Sequence, residues 1–282
     1  LFFIHHDREL YREIYGDPAH EKRRGGYSYP RHLSRGTKLA RFDLETGEHH
    51  TVVAANSPLH HVQPLGGDRL VFSSLAVERA ILVTDYDGGW YTRLRTQADD
   101  GGTTCHYCVT DRGIIYEAHS SAGLVAGVVD PVSRQPLETV LPPSVQAGSS
   151  HVGADPAGRR LLLECHDEDH GHTLVFVRRL AAGRRRGEDG ARPGVRTAGR
   201  VGAVRAGDVE LDYLFGDWPT FGSGQKSHFH PRVTPDGEHV VITAGDAETE
   251  TNHVFLLDIA DLPDTELTSR ADTPSGSGPS GS

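Results

Sequence analysis

The sequence contains no methionine, even at position 1, which predicts that part of the protein lies upstream of this chain. A targeting segment there stays open. Three cysteines cannot all pair within one chain, which points to a reducing compartment, the cytoplasm, rather than to a disulfide scaffold. No apolar run approaches a membrane span, and the opening "LFFI" is too short for a signal-peptide core, so no membrane partner is expected. An excess of positive charge is also missing. The net charge of -10 argues against a general nucleic-acid binder.

What is abundant is histidine, with 18 residues, and its placement is regular. Four stretches align: "HHVQPLGGDRLVFSS" from His60, "HYCVTDRGIIYEAHS" from His106, "HVGADPAGRRLLLEC" from His151 and "HPRVTPDGEHVVITA" from His230. Each carries a glycine seven residues after its first histidine: Gly67, Gly113, Gly158 and Gly237. A β-type run follows each glycine, and a second strand-like run follows that. His61 to His106 and His106 to His151 are both intervals of 45 residues.

Such a period, with several short strands per unit and no amphipathic helix between them, predicts an all-β fold, a β-propeller. Four clear blades and part of a fifth are legible. Residues 37–263 form the propeller portion, after a charged, partly helical excursion over 1–36 and before a Ser/Gly/Pro-rich tail at 264–282, expected to be disordered. The interval from His151 to His230 is longer, 79 residues, and its excess is an Arg/Gly-rich insertion near 181–208. That insertion reads as a solvated loop, with a polyanion-binding arm as the sharper alternative.

The first strand of a propeller blade lines the channel, so equivalent positions in successive blades become neighbours. The blade-opening histidines are therefore candidates for one cluster; the plainer reading gives each a hydrogen bond at a blade corner. The densest stretch is "GQKSHFHPRVTPDG", where His228 and His230 are expected two apart on a strand, facing the same way. Gln225 and, from the previous blade, His151 complete a candidate metal quartet. Its ligands are all neutral, so a divalent cation would keep its full charge; three His with an open position suit catalysis. Imidazole with oxygen fits Mn, Fe, Ni or Zn without choosing among them.

"TTCHYCVTDRG" raises the question of a zinc or redox Cys pair. No second pair exists to complete a zinc knuckle, and "VTDRGIIYE" reads as turn and strand, not as a helix start. His106 keeps the repeat register and the thiols do not, so His106 is the residue of interest.

The sequence resembles the oligogalacturonate lyases, seven-bladed propellers that cleave short pectic fragments by β-elimination. The resemblance runs from about Thr37 to Pro263. It rests on Gln225, His228, His230 and Pro231 with the following "TPDG", on "SSHVGADPAG", on "CHYCVTDRG" and on "ERAILVTDYDGG" around Arg79. It implies manganese at His151, Gln225, His228 and His230, with His106 as base and Arg79 as the substrate-binding partner in catalysis. It also implies short anionic uronic-acid oligosaccharides as partners, and about two blades lying upstream if the parent has seven. His61, one blade earlier, is a candidate substrate contact, although a corner hydrogen bond is the plainer role. The family's His-Glu-Phe-Trp is here His106, Tyr107, Cys108 and Val109, and its Cys-His-Glu-Gly-Pro element is "FSSLAVE", changes that bear on which sugar fits. Two other readings remain: a non-catalytic or peptidase-associated propeller, and a metal hydrolase or oxygenase. The second is weakened by the lack of a carboxylate in the quartet.

Overall fold

A computed structural model describes residues 1–6, 37–55, 59–74, 80–96, 102–120, 123–145, 148–167, 171–179, 204–206, 209–218, 228–246, 249 and 251–265. Among them there is no helix, and nineteen strands form five antiparallel sheets. The first sheet comprises β1 (Phe2–His6), β2 (Thr37–Phe42) and β3 (His49–Ala55). The second comprises β4 (Leu59–Gly66), β5 (Arg69–Ser74), β6 (Ala80–Asp85) and β7 (Tyr91–Thr96). In the third, β8 (Gly102–Thr110), β9 (Gly113–Ser120), β10 (Gly123–Val129) and β11 (Pro136–Val145) follow in order. The fourth begins with β12 (Gly148–Ala154), β13 (Leu161–Asp167) and β14 (Gly171–Arg179). It is completed by β15 (Val204–Ala206) and β16 (Val209–Trp218), in the spatial order β12-β13-β14-β16-β15. The fifth holds β17 (Arg232–Val233), β18 (His239–Asp246) and β19 (Thr251–Asp258). Meandering sheets of this kind are propeller blades.

The repeating glycine explains the turn that opens each blade. Gly67, Gly113, Gly158 and Gly237 have φ of 58°, 133°, 66° and 77°, a region that disfavours side chains. A second repeating device closes strands β2, β6, β10 and β19. Asp43, Asp85, Asp130 and Asp258 each accept backbone N–H bonds from residues two to four ahead, which folds the chain after each of these strands.

Four apolar cores lie between successive sheets. Leu39, Leu70 and Phe72 join the first sheet to the second, and Val71, Ile81, Tyr107 and Ile114 the second to the third. Ile115, Val128, Leu161 and Leu163 join the third to the fourth, and Leu162, Phe176, Phe229 and Ile242 the fourth to the fifth. Strands β5, β9 and β13 are apolar on both faces because each face packs on a neighbouring blade.

Three sequence expectations are refined. Phe2–His6 pairs with β2 along its whole length, so the first residues belong to a sheet and not to the excursion expected over 1–36; residues 7–36 lie outside the described ones. Val204–Ala206, within the insertion near 181–208, pairs with β16 as an edge strand, whereas 181–203 and 207–208 lie outside. The start of the expected disordered tail is tied down: Thr265 is buried, and its hydroxyl donates to the Val177 carbonyl at 2.6 Å. Residues 266–282 lie outside the described ones.

Candidate metal and catalytic centre

His61, His106 and His151 lie on β4, β8 and β12, the first strands of three successive blades, and His228 and His230 lie just before β17. Their rings form one cluster. Centroid separations are 4.9 Å for His61–His106, 4.5 Å for His106–His151, 5.0 Å for His151–His228 and 3.9 Å for His151–His230. His151 is the hub. Gln225 and Arg79 lie outside the described residues.

Local backbone irregularity aims these side chains. The β8–β9 register shifts between Thr104 and His106, and the β12–β13 register shifts between Ser149 and His151, so each histidine follows a bulge. A shift also falls between His60 and Gln63, where His61 has φ of 55°. Bulges of this kind redirect side chains and recur next to functional sites. The Tyr107 hydroxyl donates to the His61 carbonyl. Gln63 bridges to β8, its amide donating to the Tyr107 carbonyl at 3.0 Å while its oxygen accepts from Val109 N at 3.2 Å. These bonds fix the distance between the His61 and His106 strands.

His228 and His230 are not on a strand, contrary to the expectation. They occupy an irregular segment, and His230 has φ of 47°. Their shared orientation survives because Phe229 between them is fully buried in the core, its carbonyl held by Thr243 N at 2.8 Å.

Two residues that the sequence did not single out complete the site. Glu117 and Glu164 have side chains with 0% exposure, and each lies 2.8 Å from a histidine Nδ1: Glu117 from His106, and Glu164 from His151. Glu164 also lies 3.4 Å from His228 Nδ1, and its other oxygen 3.4 Å from His230 N. The expected all-neutral surroundings are therefore corrected, because a buried carboxylate sits among the imidazoles.

The donors suit a divalent ion. Ligand atoms of His151, Glu164 and His228 all lie within 4.8 Å of one another, and the two Nδ1 atoms are 3.3 Å apart. Two nitrogens sharing one ion at about 2.1 Å, at tetrahedral or octahedral angles, lie roughly 3.0–3.4 Å apart. An imidazole and carboxylate set suits Mn, Fe or Zn. The thiols are not part of this chemistry. Cys108 and Cys165 are free and buried in the core between the third and fourth sheets, where burial pushes both pKa values up to about 12. The Cys105 side chain lies outside the described ones.

Burial, reinforced by the neighbouring imidazoles, pushes the His61 pKa down to about 2. Burial likewise lowers His151, against the pull of Glu164. His230 is exposed as a residue, but the crowding of its ring brings it to about 4. These groups stay neutral when folded and take protons below the ordinary 6.5 when unfolded. Metal-free protein is thus expected to keep its stability above pH 6.5 and to lose it as pH falls towards 4. His61 alone would contribute a slope of at most about 1.4 kcal/mol per pH unit. Urea midpoints at pH 7 and pH 5 check this; equal midpoints would contradict it.

A cavity of about 490 Å³ lies at the Thr110–Gly113 end of the strands, lined by Leu65, Arg112, Asp130 and Pro131, and no cluster histidine lines it.

No family model matches the chain, and no curated protein matches it significantly. Solved structures do match. A structure described as oligogalacturonate lyase in complex with manganese has a TM-score of 0.59 at 18% identity, covering 92% of this chain and 61% of that one. An oligogalacturonate lyase from Vibrio parahaemolyticus has a TM-score of 0.52 at 16% identity, covering 80% and 55%. TolB from Acinetobacter baumannii has a TM-score of 0.51 at 11% identity, covering 84% and 49%. The fold is a β-propeller. At these identities the likeness concerns architecture alone, and the chain spans about three-fifths of the lyase structures' length.

Proposed function

We propose that this propeller is a metal-dependent lyase that cleaves short anionic uronic-acid oligosaccharides by β-elimination, with Mn2+ as its ion. One observation carries the reading: His106, its Nδ1 engaged by Glu117, stands 4.5 Å from the ring of His151, the hub of the metal-donor set. A base beside a cation is what removal of a proton next to a carboxylate requires.

The chemistry asks for three things. The substrate carboxylate must be neutralised, because its charge makes the adjacent C5 proton hard to remove. A bound divalent cation supplies that neutralisation and stabilises the enolate-like charge. His151, His228 and Glu164 would hold the ion, with His230 beside them and Gln225 as the proposed further ligand. His106 Nε2 takes the C5 proton. The C5–H electron pair becomes the C4=C5 double bond, the C4–O bond breaks, and the leaving oxygen takes a proton from water. His61, neutral throughout, offers the sugar a hydrogen-bonding group, and Arg79 is proposed to hold the carboxylate.

No helix of the described residues is long and apolar enough to cross a membrane, and the proposed compartment is the cytoplasm, without nucleic-acid or membrane partners. Incubating the chain with oligogalacturonates, after chelation and again with Mn2+ restored, tests the reading. The expected product absorbs in the ultraviolet through a new conjugated double bond, and chelation abolishes it. Saturated products would sink the lyase. A propeller serving only as a binding scaffold would hold no ion and leave the oligosaccharide intact.

A further inference from the structure

The residue facing each blade-opening histidine from the second strand occupies one repeating position. His60 pairs with Ser73, His106 with Glu117 and His151 with Glu164. It is the fourth residue of the runs "LVFS", "IIYE" and "LLLE", and Thr243 holds the place in "VVIT". The fold does not require a carboxylate there. Ser73 serves the backbone, its hydroxyl donating to the His60 carbonyl at 3.3 Å. A glutamate with no solvent exposure costs desolvation that a serine or threonine avoids.

The extra length of glutamate has one visible result. In the third blade the Glu117 carboxylate reaches past the backbone to the ring and sits 2.8 Å from His106 Nδ1. A carboxylate accepting at Nδ1 holds the proton on that nitrogen, leaves the lone pair on Nε2, and stops the ring from turning. The His106 side chain is 19% exposed against 0% for Glu117, so the pair has a buried end and an open one. Glu117 is not one of the candidate metal donors His151, Glu164 and His228.

We propose that Glu117 is a positioning residue that fixes the tautomer and orientation of His106, so that Nε2 is presented as the proton acceptor. This rests on the lyase reading for its catalytic consequence, although the tautomer itself does not. Once Nε2 is protonated, the same carboxylate stabilises the imidazolium. A merely structural glutamate would satisfy a buried N–H and leave turnover alone.

The test pairs kinetics with a spectrum. In Glu117→Gln, with similar shape but no charge, kcat on trigalacturonate is expected to fall about 10–100-fold, the usual range for such partners. KM and bound Mn2+ should stay unchanged. In wild-type protein labelled with 15N-histidine and loaded with diamagnetic Zn2+, the His106 signals, identified by their loss in His106→Asn, should show the proton on Nδ1. Glu117→Gln should show a mixture of tautomers. A proton on Nε2 in the wild type, or unchanged kcat in Glu117→Gln, would overturn the proposal. The spectrum needs no substrate, so an inactive protein with the Nδ1–H tautomer would fault the lyase reading and not this one. If Glu117→Gln does not fold, the wild-type spectrum still decides.

Discussion

Replacing His106 with asparagine is expected to lower turnover about 10²–10⁴-fold, the range that a positioned general base contributes. Asparagine keeps a polar group beside Glu117 and fills much of the same space, so the blade should fold as before. What it loses is the basic nitrogen. On the proposed reading, metal content should stay at the wild-type level, because the candidate donor set of His151, Glu164 and His228 does not include His106. Steady-state rates and metal per chain, measured on the same preparation, check both halves. His61, outside the candidate donor set, is another imidazole close by, with its ring 4.9 Å away, but a pKa near 2 makes it a poor proton acceptor. Full activity in the variant would therefore remove the assigned base without offering His61 as a substitute.

The architecture was legible because its signals are local and repeated. A glycine with positive φ is needed at every first turn, and an aspartate folds the chain after β2, β6, β10 and β19, so the sequence carries both at recurring places. The convergence of the blade-opening histidines was foreseeable from topology, since the first strands of neighbouring blades lie side by side. His60 and not His61, however, holds the register position of His106 and His151, and His61 joins the cluster through the irregular backbone that follows. The two glutamates were hidden for a physical reason. They end apolar runs, "IIYE" and "LLLE", in strands buried on both faces, where they pass for the polar boundary of a strand. The signal that separates them is comparison across repeats: a small hydroxyl residue stands at that place in two blades, and a long acid stands there only where it backs a clustered histidine. His228 and His230 misled in another way. Two-residue spacing implies a shared face on a strand, and here it arises because Phe229 anchors an irregular segment in the core. Tyr107, a departure from the resembled family's pattern, has a role that no spacing suggests: its hydroxyl ties down the His61 carbonyl one blade away.

Replacing His151 with leucine should produce the widest failure of any single change, because stability, metal and activity all meet at that ring. Leucine fills the volume but leaves the Glu164 carboxylate without its 2.8 Å partner in a place of no exposure. Stranding a buried polar group costs about 1–3 kcal/mol. His228 Nδ1 and the His230 N–H, both 3.4 Å from that carboxylate, can move closer and hold the loss towards the lower end. Thermal unfolding should then begin earlier, by about 2–4 °C for each kcal/mol in a chain of this size. The metal should be lost, with turnover falling to the chelated level, since the hub of the donor set is gone. The double change His151→Leu with Glu164→Leu separates the two consequences. Replacing a buried polar pair with apolar residues is often neutral or stabilising, so the double variant should recover most of the thermal loss and none of the metal. Calorimetry and metal analysis on the three proteins read this directly. Equal stability in the single and double variants would show that Glu164 does not depend on His151, and retained metal in either would place the ion elsewhere.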